Sequence, residues 1–187
     1  MRRLLIAILT TAGMGAFAAN GLEPMLEEAA RLAAAGQAAE AAAVLRQAEV
    51  EVWSGSPIVV THGSLVSQEA QGYGVFQERP DNRFRVGEPI LIYAEPAGYS
   101  FVREQDDYIF GFSADFTVLD ENENVLGAQR NIQSWSYRSR HPLFEVYVNL
   151  TYSLSGAVQG KYIIETTFTD ANGGGQGGFR IPIEIVE

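Results

Sequence analysis

Residues 143–187 read LFEVYVNLTYSLSGAVQGKYIIETTFTDANGGGQGGFRIPIEIVE. From Leu143 to Leu154, Phe144, Val146, Val148 and Leu150 alternate with Glu145, Tyr147, Asn149 and Thr151. From Lys161 to Thr169, Tyr162, Ile164 and Phe168 fall on one face, and from Phe179 to Val186 so do Ile181, Ile183 and Ile185. A period of two sends one set of side chains to a buried face and the other to water. The stretch therefore predicts three consecutive β-strands.

Working outward, further strands are expected at Ile58 to Thr61, Leu65 to Gln71, Tyr73 to Gln77, Pro89 to Ala94, Tyr108 to Leu119 and Val125 to Gln133. Gly72, Pro80-Asp81-Asn82, Gly87, Pro96 to Gly98, Asp120 to Asn124, Gly156 and Gly173 to Gly178 supply turns between them. No helical periodicity follows Ile58, so crossover helices for a parallel sheet are missing. The expected fold is mainly β, an antiparallel β-sandwich. Gly160-Lys161-Tyr162, closed by Asp170 at the strand's far end, resembles the tyrosine corner of immunoglobulin-like and fibronectin-like modules. That resemblance implies that the Tyr162 hydroxyl ties the strand start to nearby backbone. The chain departs from antibody-type domains in having no cysteine pair and in placing Tyr93 where a tryptophan is expected. The run Phe84 to Pro89 followed by Tyr93 to Pro96 is similar to uncharacterised exported bacterial proteins of this build, which implies no activity.

Ahead of the sandwich, residues 20–53 predict an α-helical hairpin. Leu22, Met25, Leu26, Ala29, Leu32 and Ala33 recur at spacings of three and four, and Gly36 ends that helix. A second helix would turn Ala41, Val44, Leu45 and Ala48 inward. The order Gly36, Glu40, Ala41, Leu45, Ala48 resembles half of one tetratricopeptide repeat, a unit that cannot bury its own face without a neighbour. Residues 1–19 read as a signal peptide, with Arg2 and Arg3, an apolar run from Leu4 to Phe17 and a cleavage site at Ala16-Phe17-Ala18. That run is shorter than the roughly 20 residues of a membrane span, so none is expected once the leader is removed. The layout expected is residues 1–19 leader, 20–53 helices and 54–187 β-domain, in a periplasmic or secreted bacterial protein.

Charge and composition exclude several functions. The formal net charge is -10, from 13 basic and 23 acidic residues, and Lys161 is the single lysine. Such a surface repels phosphate backbones, so no nucleic acid partner is expected. The absence of cysteine removes disulfides, thiol catalysis and thiolate metal sites. His62 and His141 are the only histidines and lack the partners of a triad or a zinc site, so both are expected as loop residues without a catalytic role. Asp120-Glu121-Asn122-Glu123-Asn124 places oxygens at alternate positions, but Val125 and Asn131 stand where a calcium loop needs glycine and glutamate. A hairpin turn is the better reading. Glu88, Glu95, Asp106 and Asp107 offer carboxylates for a glycosidase pair without defining a separation. The glycine run at 173–178 lies between strands, without the helix a phosphate cradle requires, and is expected as a flexible connection.

The aromatic residues remain. Tyr99 and Phe101 lie in the long connection from Pro96 to Asp107, and Trp135 and Tyr137 lie beside Arg138, Arg140 and His141. Trp, Tyr and Arg are enriched at binding hot spots, and these arginines stand out on an acidic chain. Trp135, Tyr137, Arg138, Arg140, Tyr99 and Phe101 are thus the candidate binding residues, with no cofactor, metal or catalytic residue expected. The expectation is a non-enzymatic binding or assembly module for a protein partner in the cell envelope. A carbohydrate- or peptidoglycan-binding module, stacking sugars on Trp135, Tyr137 and Tyr99, is the alternative.

Overall fold

A computed structural model describes residues 21–54 and 56–187. The leader expected at residues 1–19 lies outside the described residues. Two helices come first, α1 (Leu22–Ala34) and α2 (Ala38–Ser54). Between them the Gln37 amide donates to the Leu32 carbonyl (2.9 Å) and the Gly36 amide to the Ala33 carbonyl (3.0 Å). This is a Schellman turn, and Gly36 takes its left-handed position at φ 77°. Ala29, Leu32, Ala41 and Ala48 are buried, whereas Leu26 and Leu45, expected inward, are exposed. The described residues group into two compact units that divide between Ala48 and Glu49, inside α2.

The second unit is built from nine strands: β1 (Val59–Leu65), β2 (Arg83–Arg85), β3 (Ile90–Ala97), β4 (Val102–Glu104), β5 (Asp107–Asp120), β6 (Val125–Ser139), β7 (Val148–Tyr152), β8 (Gly160–Asp170) and β9 (Gln176–Val186). β1, β3 and β7 form one sheet in that order. The other runs β2-β9-β8-β5-β4, with β6 also paired to β5. Every pairing is antiparallel except one: β2 runs parallel to β9, with Phe84 opposite Ile185. Ile92, Val148 and Leu150 of the smaller sheet share a single core with Phe110, Phe112, Ile164, Phe168 and Ile183 of the larger. Each such side chain, fully buried, contributes roughly 1.5–3 kcal/mol.

The two sheets are drawn together where β1 approaches β9. A Cβ on Gly177 would overlap the Ile58 carbonyl oxygen, so only glycine admits that backbone. Gly63 of β1 lies against the Phe179 ring, its would-be Cβ 3.1 Å from the nearest ring atom. The body is mainly β and curls like half a barrel. The glycine run is therefore not a free connection. Its second half belongs to β9, and the Asp170 carboxylate fixes its first half by accepting from the amides of Gly173 (2.8 Å) and Ser100 (3.0 Å).

Several expected strands are shaped differently. Residues 66–82 make only isolated bridges, at Val66–Glu78 and Gly72–Val75. Val66, Ala70 and Phe76 instead cover Tyr93 on a second face of the smaller sheet, so their apolar spacing serves packing and not a ladder. The alternation beginning at Leu143 is real, but pairing starts only at Val148. His62 lies in β1, not in a loop, with Nε2 3.2 Å from Ser64 Oγ. The Tyr162 hydroxyl donates to the Val158 carbonyl at 2.8 Å, the tie that the tyrosine-corner resemblance implies.

Candidate functional site

β6 is the long outer strand of the larger sheet. β5 meets β8 over Phe112–Asp120 and meets β6 over Tyr108–Leu119, so its two sides are taken. Among the described residues β6 pairs with β5 alone. Its far side presents backbone N–H and C=O groups without a ladder partner, the arrangement that an added strand can satisfy.

This edge is irregular in two places. Ala114 faces Gln133 while Phe116 faces Gln129, so residues 130–132 bulge opposite Asp115. Asn131 turns to φ 50° there, its amide donating to Asp115 Oδ1 at 2.7 Å and its Oδ1 accepting from Ser134 Oγ at 2.6 Å. A second shift of register sets Leu119 opposite Val125 and leaves Leu126 over. Beyond the bulge, β6 is exposed from Val125 to Asn131. Val125 and Leu126 are 63% and 57% exposed, which places apolar surface at the open edge.

The six sequence candidates do not form one patch. Residues alternate along β6, so Trp135 and Tyr137 turn to the core and Arg138 does not; Arg140 lies just past the strand and is exposed. Tyr137 stacks on Phe110 at 4.8 Å with planes 11° apart, and Tyr99 stacks on Phe110 at 4.7 Å and 13°. These three rings form a column. Trp135 packs beside Phe112 at 5.3 Å. Trp135 and Tyr137 are half-buried, closing the core at its open edge. Tyr99 is wholly buried, donates to the Leu143 carbonyl at 2.5 Å, and has its phenol pKa raised by burial. It cannot serve as a stacking platform for a sugar. Phe101, half-buried, packs edge-on against Phe110 and Phe144.

The arginines are occupied as well. Arg138 reaches Glu104 (2.7 Å) and Asp107 (3.0 Å), and Arg140 reaches Asp107 (3.2 Å) and Asp106 (3.3 Å). The acidic β4–β5 turn neutralises them, so they do not form an open anion site. These hydrogen bonds, first the one Arg138 donates to Asp107, raise the pKa of its guanidinium. The neighbouring β5–β6 turn is self-contained. Asp120 accepts from the Asn124 amide and side chain (both 2.9 Å) and from the Asn122 amide (2.8 Å), which holds its carboxyl below the usual range. Its oxygens serve turn geometry. No cluster of three or more possible metal ligands occurs among the described residues. Glu95 lies on β3, where it accepts from the Tyr93 hydroxyl, and Asp106 lies in the turn after β4, on the other sheet.

A shallow groove of about 460 Å³ flanks the exposed half of β6. Val118 and Leu126 line it from the hairpin, Leu154, Ala157 and Val158 from the β7–β8 connection, and Tyr162 from the start of β8. The bond from Tyr162 to Val158 fixes one wall. Sequence reasoning missed this groove, because its walls are 36 residues apart at Val118 and Leu154. It also missed the outer strand's full length. The alternation Ser134-Trp135-Ser136-Tyr137-Arg138-Ser139 was the available signal.

No family model and no curated protein matches the chain. Among solved structures it is similar to a superoxide reductase (neelaredoxin) from Ignicoccus hospitalis, at 14% identity over 68% of this chain and 82% of that one, with a TM-score of 0.30. It is similar to the alkylpurine DNA glycosylase AlkC of Pseudomonas fluorescens, solved with DNA containing an abasic site analogue, at 9% identity over 81% and 40% and a TM-score of 0.36. It is also similar to Spo0M, a sporulation control protein from Bacillus subtilis, at 11% identity over 71% and 50% and a TM-score of 0.30. Likenesses at this level carry no argument about activity. Among the described residues no helix is long and apolar enough to cross a membrane.

Proposed function

We propose that this chain is a non-enzymatic, exported binding module that takes an extended segment of a protein partner along β6, in the periplasm or outside the cell. One observation carries the reading: a 15-residue outer strand whose far side has no ladder partner among the described residues and whose first half is exposed, Leu126 included. Stable soluble domains blunt such edges or use them. Here the bulge at Asn131 blunts the middle and leaves the Val125–Gln129 run accessible.

We also read the β-body as immunoglobulin-like. The order β1-β3-β7 beside β2-β9-β8-β5-β6, with the Tyr162 hydroxyl on backbone four residues upstream, supports that reading. The leader-like sequence of residues 1–19, with Arg2, Arg3 and the apolar run from Leu4 to Phe17, supports export.

Photo-crosslinking in the native cell tests the function. A crosslinking residue at Gln129 or Ala128 is expected to give discrete adducts with another protein, and the same residue at Val86, exposed after β2, is expected to give none. Equal labelling from both positions, or none from either, overturns the reading.

A further inference from the structure

Building on the β6 reading, we infer that the partner segment is an acidic, apolar-anchored strand. It seats one apolar side chain in the groove between Leu126 and Val158 and sets a carboxylate against Arg130.

The backbone edge alone accepts any extended segment. Two features beside it narrow the choice. The first is the groove, whose walls offer Val118, Leu126, Leu154 and Val158, with Val158 71% exposed. The β7–β8 connection from Ser153 to Gln159 carries no charged residue, so nothing there recognises an ion. The Tyr162–Val158 hydrogen bond holds that wall in place before any partner arrives, and preformed walls lower the cost of binding. The second is Arg130. β6 contains no acidic residue, and its arginines are Arg130 and Arg138. Arg138 is taken by Glu104 and Asp107, whereas Arg130 makes no ion pair among the described residues. Asp115, opposite the bulge, accepts the Asn131 amide, and Glu123, in the β5–β6 turn, pairs with Arg180. Arg130 thus stands at the open edge with its charge unspent.

The same charges argue against a second copy as the occupant. Pairing β6 with itself would set a cationic strand against an equally cationic one, between two bodies of net charge -10. A strand from a different protein, bearing the opposite sign at this edge, avoids the first penalty and gains a local attraction at Arg130.

A display library of ten-residue random peptides, selected on the full-length chain, is the test, followed by titration of one selected peptide and amide hydrogen exchange. The expected peptides alternate apolar and polar residues and include Asp or Glu. They should slow exchange at Val125–Gln129 at least tenfold. Val158→Asp and, as a milder check on folding, Val158→Ala should weaken binding by at least ten- and threefold. Arg130→Glu should weaken the acidic peptide about tenfold and be rescued when its carboxylate residue is replaced by lysine. Peptides that bind at β6 but ignore both Val158 and Arg130 overturn this inference and leave the β6 reading standing. Peptides that protect another surface, or a library that yields no binder, overturn both. A free chain that dimerises through β6 and resists competition by peptide makes the second copy the occupant and also overturns it.

Discussion

The β1–β9 side and the β6 side of the body are both margins of sheets, and they are treated in opposite ways. At β1–β9 the backbones come so close that Gly177 has no room for a side chain against Ile58, and the Phe179 ring lies on Gly63. At β6, apolar side chains such as Val125 and Leu126 stand in solvent, and the strand has one neighbour among the described residues. Closing a sheet removes its liability to pair with other chains. The margin left open is then the one available for recognition. The contrast also explains where the sequence places glycines and half-buried aromatics. Glycine lets two backbones approach, and half-buried Trp135 and Tyr137 pack against the core from the strand that ends the sheet.

The largest expected effect breaks the closed margin. Gly177→Val forces a branched side chain into the Ile58 backbone and should cost more than about 4 kcal/mol, read as loss of cooperative denaturation. A variant that unfolds within 1 kcal/mol of the parent, taken here as roughly the ordinary surface tolerance, would mean that β1 is free to move off β9.

Between the margins, Tyr152 of β7 shares a hydrogen bond of 2.8 Å with Thr166 of β8 across the core. Tyr152→Phe leaves the buried Thr166 hydroxyl unpaired and should cost about 1–2 kcal/mol. It should also change the alkaline response. Burial pushes the Tyr152 phenol up from 10.0 to about 12, partly offset by the Thr166 bond. Above pH 10 the unfolded chain releases this proton while the folded one keeps it, so stability falls as pH rises from 10 to about 12. Urea midpoints at successive pH values should fall less steeply through that window in the phenylalanine variant.

The smallest effect belongs to the open margin. Arg138→Gln removes exposed ion pairs to Glu104 and Asp107 and should shift the denaturation midpoint by under about 0.5 kcal/mol. A loss of several times that would mean that the β4–β5 turn holds β6 in place.

Much of the architecture was legible because it is local. Gly36 between two apolar helical stripes, the turn from Asp120 to Asn124, and the alternation from Lys161 to Thr169 each state their structure within a dozen residues. The tie from Tyr162 is four residues long. What escaped reading depends on distance. β2 has three residues and finds its parallel partner at Glu184–Val186, a pairing that no local pattern encodes. Residues 66–82 carry strand-like spacing yet pack as a cover over Tyr93. The candidate arginines looked free because their acidic partners at Glu104 to Asp107 lie more than 30 residues earlier. The half-buried aromatics looked like a platform because sequence does not reveal which face of a strand meets the core.

The kink at Asn131 limits how far any visitor can travel along β6. An incoming chain can keep step with the backbone for a few residues, and then the left-handed residue rotates the remaining amides away. Copy-upon-copy growth into fibres needs an uninterrupted track, which this strand withholds. A short segment of another protein asks for less and still finds its footing.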